Sequence, residues 1–420
     1  MKKKHTIAIL ILIIIITCSY LFINSIIKSE AGGINKFENL KSLINNDTKQ
    51  LIKRYIFPSK IISYQEKIIA KQKQSLAPVE PFLLNLEFET NESGVRIATK
   101  ESSIKLSNNR TLKKYKLISG FYVGIKNLIP GSGYIDFYEN NLFIMSSRGV
   151  LAFAKNLNSS DVVFKQIRNN INEFISLEQF GKSRKFSLKD LLIDDNKIYI
   201  SYTDEIEKDC WNNSIIYGDI DYESIQFKKL FTPEECVHSK NNVDKEFTAS
   251  QSGGRIVKFD DNHILFSIGE YRSRHLAQNE KSVNGKVIKI NIKNSDYQII
   301  SMGHRNPQGL YFDKENNFIL ETEHGPKGGD EINLIEVKKI NENKIQNYGW
   351  AIVSAGEHYG GRTEKYPLYK SHSKYGFIEP LKSFVPSIAI SEIVKIKQNK
   401  YVVSSLKDKS LYFFELNQKR

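Results

Sequence analysis

Gly303-His304-Arg305-Asn306-Pro307-Gln308-Gly309, then Glu323-His324-Gly325-Pro326-Lys327-Gly328-Gly329-Asp330-Glu331-Ile332-Asn333, then Asn347-Tyr348-Gly349-Trp350: the reading of these three clusters decides the fold. No regular helix or strand favours so many Gly, Pro, Asn and charged residues packed together. Gly and Pro hold loop backbones in chosen shapes, and polar residues on such loops usually serve a site. Strand-like runs alternate with the clusters: Gly309 to Phe312, Phe318 to Glu321 and Ile332 to Val337. The alternation describes a rigid β scaffold presenting a decorated loop face.

Outward from this stretch the chain keeps the same habit. Short strands rich in β-branched and aromatic residues recur, such as Leu142 to Met145, Lys197 to Tyr202, His263 to Ser267 and Lys286 to Ile290. Asp/Asn-rich turns occupy equivalent places after the first strand of each group: Tyr138-Glu139-Asn140-Asn141, Ile193-Asp194-Asp195-Asn196, Phe259-Asp260-Asp261-Asn262, Phe312 to Asn317 and Lys397-Gln398-Asn399-Lys400. A repeat of roughly 50 to 80 residues built this way fits β-propeller blades. Five blades are readable, starting near residues 118, 186, 253, 305 and 385.

The N-terminal part reads differently. Lys2, Lys3, Lys4 and His5 precede an uncharged run from Thr6 to Ile27, and about 22 residues suffice to cross a ~30 Å hydrocarbon core as a helix. We expect residues 1–29 to be an uncleaved signal anchor; a cleaved signal is the alternative. Cys18 would then be a membrane-embedded thiol. The basic flank keeps the N-terminus cytoplasmic and places the rest beyond the membrane. The expected location is therefore the inner membrane, single-pass, with the C-terminal domain in the periplasm or outside. Residues 30–80 carry apolar positions at three- and four-residue steps and are expected to form a helical stalk or packing arm. Residues 81–420 are expected to be the propeller.

Composition bounds the function. The 420 residues are 40% hydrophobic and 11% aromatic, which are globular values. The net charge of +14 comes from lysines spread among Asn and Ile, with no Arg-rich stripe. That argues for an anionic lipid, cofactor or partner and against nucleic acid. No metalloprotease, nucleophile-elbow or phosphate-loop spacing is present, so a zinc enzyme or serine hydrolase has no support. Cys210 and Cys236, on the exported side, are most simply a disulfide; two unpaired buried thiols are the alternative.

The three clusters, in order, resemble the glucose/sorbosone dehydrogenase family of soluble sugar dehydrogenases, and the resemblance extends more weakly from about Gly120 to the C-terminus. It implies an all-β, six-bladed propeller that uses pyrroloquinoline quinone and calcium to oxidise an aldose or related sugar at C1. The chain stops where the sixth blade should begin, and we expect residues 81 to 117 to supply the missing strands. The resemblance implies calcium ligands at Gly325 and Pro326, which also grip the cofactor, and a second, structural calcium at backbone oxygens of Glu331 and Tyr348. Arg274 matches a cofactor-contacting arginine that could also stabilise charge on a quinone oxygen, and Lys407 matches a cofactor-binding lysine. The family's catalytic histidine aligns with Asp194, which is either a substitute base or a turn aspartate. Electrons would pass to an external acceptor that the sequence does not name. The rival reading is a degenerate, non-catalytic propeller that binds a carbohydrate or a protein partner in the cell envelope.

Overall fold

The computed structural model describes residues 69, 95–96, 102–107, 109–114, 133–155, 162–182, 185–359 and 366–416. The chain divides into two compact units, Met1–Leu76 and Ala77–Arg420. The expected signal anchor and nearly all of the expected stalk lie outside the described residues. Among the described residues no helix is long and apolar enough to cross a membrane.

The strands, in chain order, are β1 (Val95–Arg96), β2 (Ser102–Lys105), β3 (Thr111–Lys114), β4 (Gly133–Tyr138), β5 (Asn141–Ser146), β6 (Leu151–Ala154) and β7 (Val163–Asn169). After them come β8 (Leu188–Asp194), β9 (Lys197–Glu207), β10 (Cys210–Asp219), β11 (Ser224–Ile225), β12 (Lys228–Phe231) and β13 (Val237–His238). The remainder are β14 (Gly253–Asp260), β15 (His263–Ile268), β16 (Lys286–Asn291), β17 (Tyr297–Met302), β18 (Pro307–Asp313), β19 (Phe318–Glu323), β20 (Asp330–Glu336), β21 (Gln346–Asn347), β22 (Lys382–Phe384), β23 (Ile390–Lys397), β24 (Lys400–Ser405) and β25 (Ser410–Glu415).

Five antiparallel meanders form the blades: β4 to β7; β8, β9, β10 and β12; β14 to β17; β18, β19, β20 and β22; β23 to β25. The turns singled out in the sequence join the first two strands of each blade. Glu139 and Asn140 both take positive φ (47° and 64°), as a tight two-residue hairpin requires.

Blades hold together face to face. Phe143, Met145, Leu188 and Ile200 pack between the first and second blades. Tyr199, Ile215, Ile264 and Phe266 fill the next interface. Leu265, Val287, Leu310 and Ile319 follow, then Leu320, Ile332, Ile390 and Tyr401. Period-two alternation makes this possible, because Ile264 and Phe266 face one neighbour and Leu265 the other.

Between the fifth and first blades the ring is open among the described residues. Ile135 (60% exposed) and Phe137 (55%) line one wall, and Leu411 (40%) and Phe413 (38%) line the other. The expectation that residues 81 to 117 complete this sector falls mostly outside the described residues, including its strand at residues 82–88; the strands that are described lie elsewhere. β1 pairs with the outer strand β7, and β2 and β3 form a separate two-stranded hairpin. That hairpin meets the fifth blade through Arg110, whose guanidinium lies 5.2 Å from the centre of the Phe413 ring, without joining its ladder. The described residues of this stretch are too few and too peripheral to make a blade.

Cys210 and Cys236 form the disulfide, with Cα atoms 5.4 Å apart and 26 residues of separation. Closing a loop of this size restricts the unfolded chain, so reduction is expected to cost about 3 kcal/mol. Urea melts with and without a reductant would measure the loss, and coincident midpoints would disprove it.

Candidate functional site

The inner strands β8, β14, β18 and β23 all begin at the same end of the ring. Arg255, near the start of β14, shows this. Its Nη1 donates to Asp190 Oδ1 of β8 (2.7 Å) and its Nε to the Gln308 carbonyl of β18 (2.7 Å). Its Nη2 lies 2.7 Å from Glu392 Oε2 of β23. The loops entering these strands therefore share one face, the first cluster among them; the second cluster joins it because Glu323 pairs with Pro307 at the start of β18, and the third because the Trp350 N–H donates to the Gly303 carbonyl.

On that face Arg272, Arg274 and Arg305 converge on a pocket, lined also by Glu246, Pro326, Trp350, His358 and Tyr359. Arg274 opens a short 3-10 turn (Arg274–Gln278) and is almost buried. Its backbone N–H donates to Asp244 Oδ2 (2.9 Å) and its Nη2 to Glu246 Oε2 (3.1 Å). Its guanidinium sits 5.5 Å from the centre of the Tyr366 ring. Arg272 Nη1 reaches the same Glu246 oxygen at 3.7 Å. Tyr271 and Arg272 both take positive φ (52° and 70°), a strained conformation for non-glycine residues that tends to mark a functional loop.

Arg305 Nη1 donates to the carbonyls of His324 (2.8 Å) and Gly325 (2.7 Å), and its guanidinium lies 5.5 Å from the centre of a Trp350 ring. Burial lowers its pKa. The loop it holds admits no side chain at Gly325, where a Cβ would sit 1.8 Å from the Gly329 carbonyl oxygen.

A second, smaller cavity shares Arg305, Pro326 and Trp350 with the first. Gly325, Pro326, Glu331 and Tyr348, all four expected metal-site residues, line it together with Glu323. β19 and β20 pair Glu321 with Asn333 and Glu323 with Glu331, so strand register puts these four side chains on one face. All four are buried. Glu323 accepts from the Arg305 backbone N–H (2.5 Å) and from Asn333 Nδ2 (3.1 Å), and its Oε1 lies 3.3 Å from His304 Nδ1. Burial pushes Glu331 up to about 7, although His372 Nε2 stands 3.5 Å from its Oε1. Burial and the neighbouring Glu323 also hold Glu321 well above the carboxylate range. Glu321 Oε1 and Asn333 Oδ1 have no hydrogen-bond partner. Ligand atoms of His304, Glu321 and Glu323 all lie within 4.8 Å of one another. Buried, oxygen-rich and incompletely satisfied, with carboxyls that a bound cation would keep ionised, this wall fits a hard divalent cation.

Two expected residues stand apart. Lys407 is on the same face but at its rim, donating to the Ser387 carbonyl (2.9 Å), while Ser387 Oγ donates to the Pro326 carbonyl (3.4 Å). Asp194 lies at the opposite end of β8, paired with Lys258 at the far end of β14 (2.6 Å). Six residue steps at ~3.3 Å each separate it from the start of β8, so the structure does not bring it to the arginines. It is a turn carboxylate in an ion pair, and the assignment of a base there is corrected. Sequence reasoning gave no role to Arg305, Trp350 or His358, although all three stand in or beside the quoted clusters. Glu246 and Arg272 carried no such signal.

The model of the family described as Glucose / Sorbosone dehydrogenase matches residues 185–420. Aldose sugar dehydrogenase YliI of Escherichia coli (strain K12) is 29% identical over 195 residues, 42% of this chain and 50% of that protein. Quinoprotein glucose dehydrogenase B of Acinetobacter calcoaceticus is 32% identical over 131 residues, 24% of this chain and 26% of that one. The chain thus spans half or less of the length of these curated relatives. The soluble aldose sugar dehydrogenase of Escherichia coli in its apo form superimposes with a TM-score of 0.52 at 21% identity, over 68% of this chain and 83% of that one, a likeness of fold.

Proposed function

The chain belongs to the glucose/sorbosone dehydrogenase family, whose model spans more than half of it, and from that premise we propose that it oxidises an aldose or related sugar at C1. Two electrons would go to pyrroloquinoline quinone and then to an external acceptor. The observation that carries this reading is the convergence of Arg272, Arg274 and Arg305 on one pocket beside Trp350.

A planar tricarboxylate needs cations in number, and guanidinium forks pair with carboxylates bidentately. Arg272, Arg274 and Arg305 would hold those carboxylates, the Trp350 ring would offer an enclosing face, and Lys407 would add a cation at the rim. Calcium would sit on the acidic wall formed by Glu323 and Glu331, with the carbonyls of Gly325 and Pro326 and the backbone oxygen of Tyr348 as further oxygen donors. The bound quinone supplies an acceptor for a hydride. The chain's own residues do the positioning. Glu246 fixes the Arg274 fork, Arg305 shapes the Gly325-Pro326 turn, and buried side chains around both cavities limit water.

The same reading includes attachment to the inner membrane through the apolar run 6–27, with the catalytic part in the periplasm or outside. It is supported by Lys2, Lys3 and Lys4 before that run and by the disulfide, which suits an oxidising compartment.

The rival, a degenerate propeller binding a carbohydrate or protein partner, draws on one observation: Asp194 is not at the site. One experiment separates them. The full chain, supplied with calcium and pyrroloquinoline quinone, is expected to perturb the quinone absorbance and to reduce an electron-accepting dye with at least one sugar of a panel. Absence of binding at micromolar cofactor would end the enzyme reading, and binding without turnover would favour the rival.

A further inference from the structure

Oxidising a hydroxyl-bearing carbon requires somewhere for the O–H proton to go, and Asp194 is at the wrong end of the blade to take it. Among the described residues, the ionisable groups lining the arginine pocket are Glu246, Arg272, Arg274, Arg305, His358 and Tyr359. Guanidiniums do not give up protons in proteins. Glu246 is committed to the guanidinium groups of Arg274 at 3.1 Å and Arg272 at 3.7 Å. Tyr359 presents a phenolic O–H, already carrying its proton, rather than a free base.

His358 differs from all of these. Its Nε2 is in hydrogen-bond contact with the Tyr366 carbonyl oxygen. A carbonyl only accepts, so Nε2 carries the hydrogen. In a neutral imidazole the other nitrogen, Nδ1, is then an acceptor. The Trp350 ring stands edge-on to the imidazole at 6.0 Å and steadies its plane. The side chain is half-buried, so it remains reachable from the pocket.

We propose that His358 is the general base of the sugar oxidation and takes the hydroxyl proton on Nδ1. This rests on the dehydrogenase reading above. The O1–H bond breaks and its proton passes to Nδ1. The C1–H bond breaks with its electron pair, leaving as hydride to an ortho-quinone oxidant, and a C1–O π bond forms. The sugar loses two electrons and the quinone gains them; the imidazolium later returns its proton to solvent. The surroundings suit the role. Burial, together with Arg274, Arg305 and Lys370, lowers the pKa of His358 against the raising effect of its bond to Tyr366, so the ring is neutral at pH 7. Glu246, Arg272 and Tyr359 complete the charged and titratable groups lining the same pocket.

The test has two arms. First, nitrogen-15 spectra of histidine-labelled full chain, without cofactor, are expected to show one Nε2–H tautomer that titrates below the ordinary histidine value of about 6.5 and vanishes in His358→Asn. Second, with calcium and pyrroloquinoline quinone, His358→Asn is expected to lower kcat by about 10²- to 10⁴-fold. The acid limb of the wild-type pH profile should disappear, and added imidazole should restore part of the rate to His358→Ala. An Nδ1–H tautomer, or a variant with unchanged kcat and pH profile beside an active wild type, would overturn the assignment alone. A wild type that binds the quinone yet oxidises no sugar would overturn the parent reading, and the assignment with it.

Discussion

Arg255→Ala is expected to lower the free energy of unfolding by about 3–5 kcal/mol, the range for removing one partner of a buried ion pair. The guanidinium joins inner strands of four blades, reaching Asp190, the Gln308 carbonyl and Glu392 from β14. Asp190 is only 7% exposed and also accepts the Ile256 backbone N–H, so it cannot turn to water when its partner leaves. Glu392 keeps 37% of its side chain open, although the protein packed around its carboxyl still raises its pKa; its partial contact with solvent makes its share of the loss smaller than that of Asp190.

The loss should depend on pH in a definite direction. Burial raises the pKa of Asp190 and of Glu392, the latter to about 7, while Arg255 pulls both down. A carboxyl whose folded pKa lies above its unfolded value contributes stability below the unfolded pKa and loses it as pH rises through the folded one. For Glu392 that window runs from about 4.3 to about 7. Without Arg255 both folded pKa values climb further, so the variant loses more stability at pH 8 than at pH 5. Urea unfolding at both pH values, with the slope checked for constancy, would measure it. A loss under about 1 kcal/mol, the size of an exposed pair, or an equal loss at both pH values, would refute the account of Arg255 as the hub.

How much of this was legible in the sequence depended on whether a feature was local. Turn chemistry is local: Glu139-Asn140 and Asp195-Asn196 announced hairpins, and the structure places them between the first two strands of their blades. The clusters at Gly303, Glu323 and Asn347 announced a loop face, and their members line two adjoining cavities. Asp194 failed for a geometric reason. Matching a motif counts residues along a strand, but says nothing about which end of the ring the strand's last residue reaches. Lys258 pairs with Asp194 across 64 positions of sequence, a partnership no spacing rule reveals. The pocket had the same difficulty in reverse. Arg274 was legible through its motif, but its partner Glu246 was not: the two meet because the loop before β14 folds back over the face, and Glu246 sits in no recognisable pattern. Burial was the third obstacle. Glu321 reads as one face of an ordinary strand, yet it is wholly enclosed beside Glu323 and Asn333.

Arg305→Ala, finally, is expected to weaken quinone binding by about 30-fold or more, the lower end of what truncating one member of a desolvated charge pair costs. Two separate effects combine. The variant removes one of the three guanidiniums facing the pocket. It also strips the His324 and Gly325 carbonyls of their donor, releasing the turn that separates the arginine pocket from the acidic cavity. Arg305→Lys distinguishes the two. A lysine restores the charge but not the fork that reaches both carbonyls, so it should recover a minor part of the affinity. Calcium affinity should fall in the alanine variant as well, because the carbonyls expected to ligate it belong to the same turn. Titrating quinone and calcium separately against wild type and both variants would resolve these terms. Were the lysine variant to regain full affinity, only charge would matter at this position. Were the alanine variant to bind as wild type, the arginine pocket would not be where the cofactor sits.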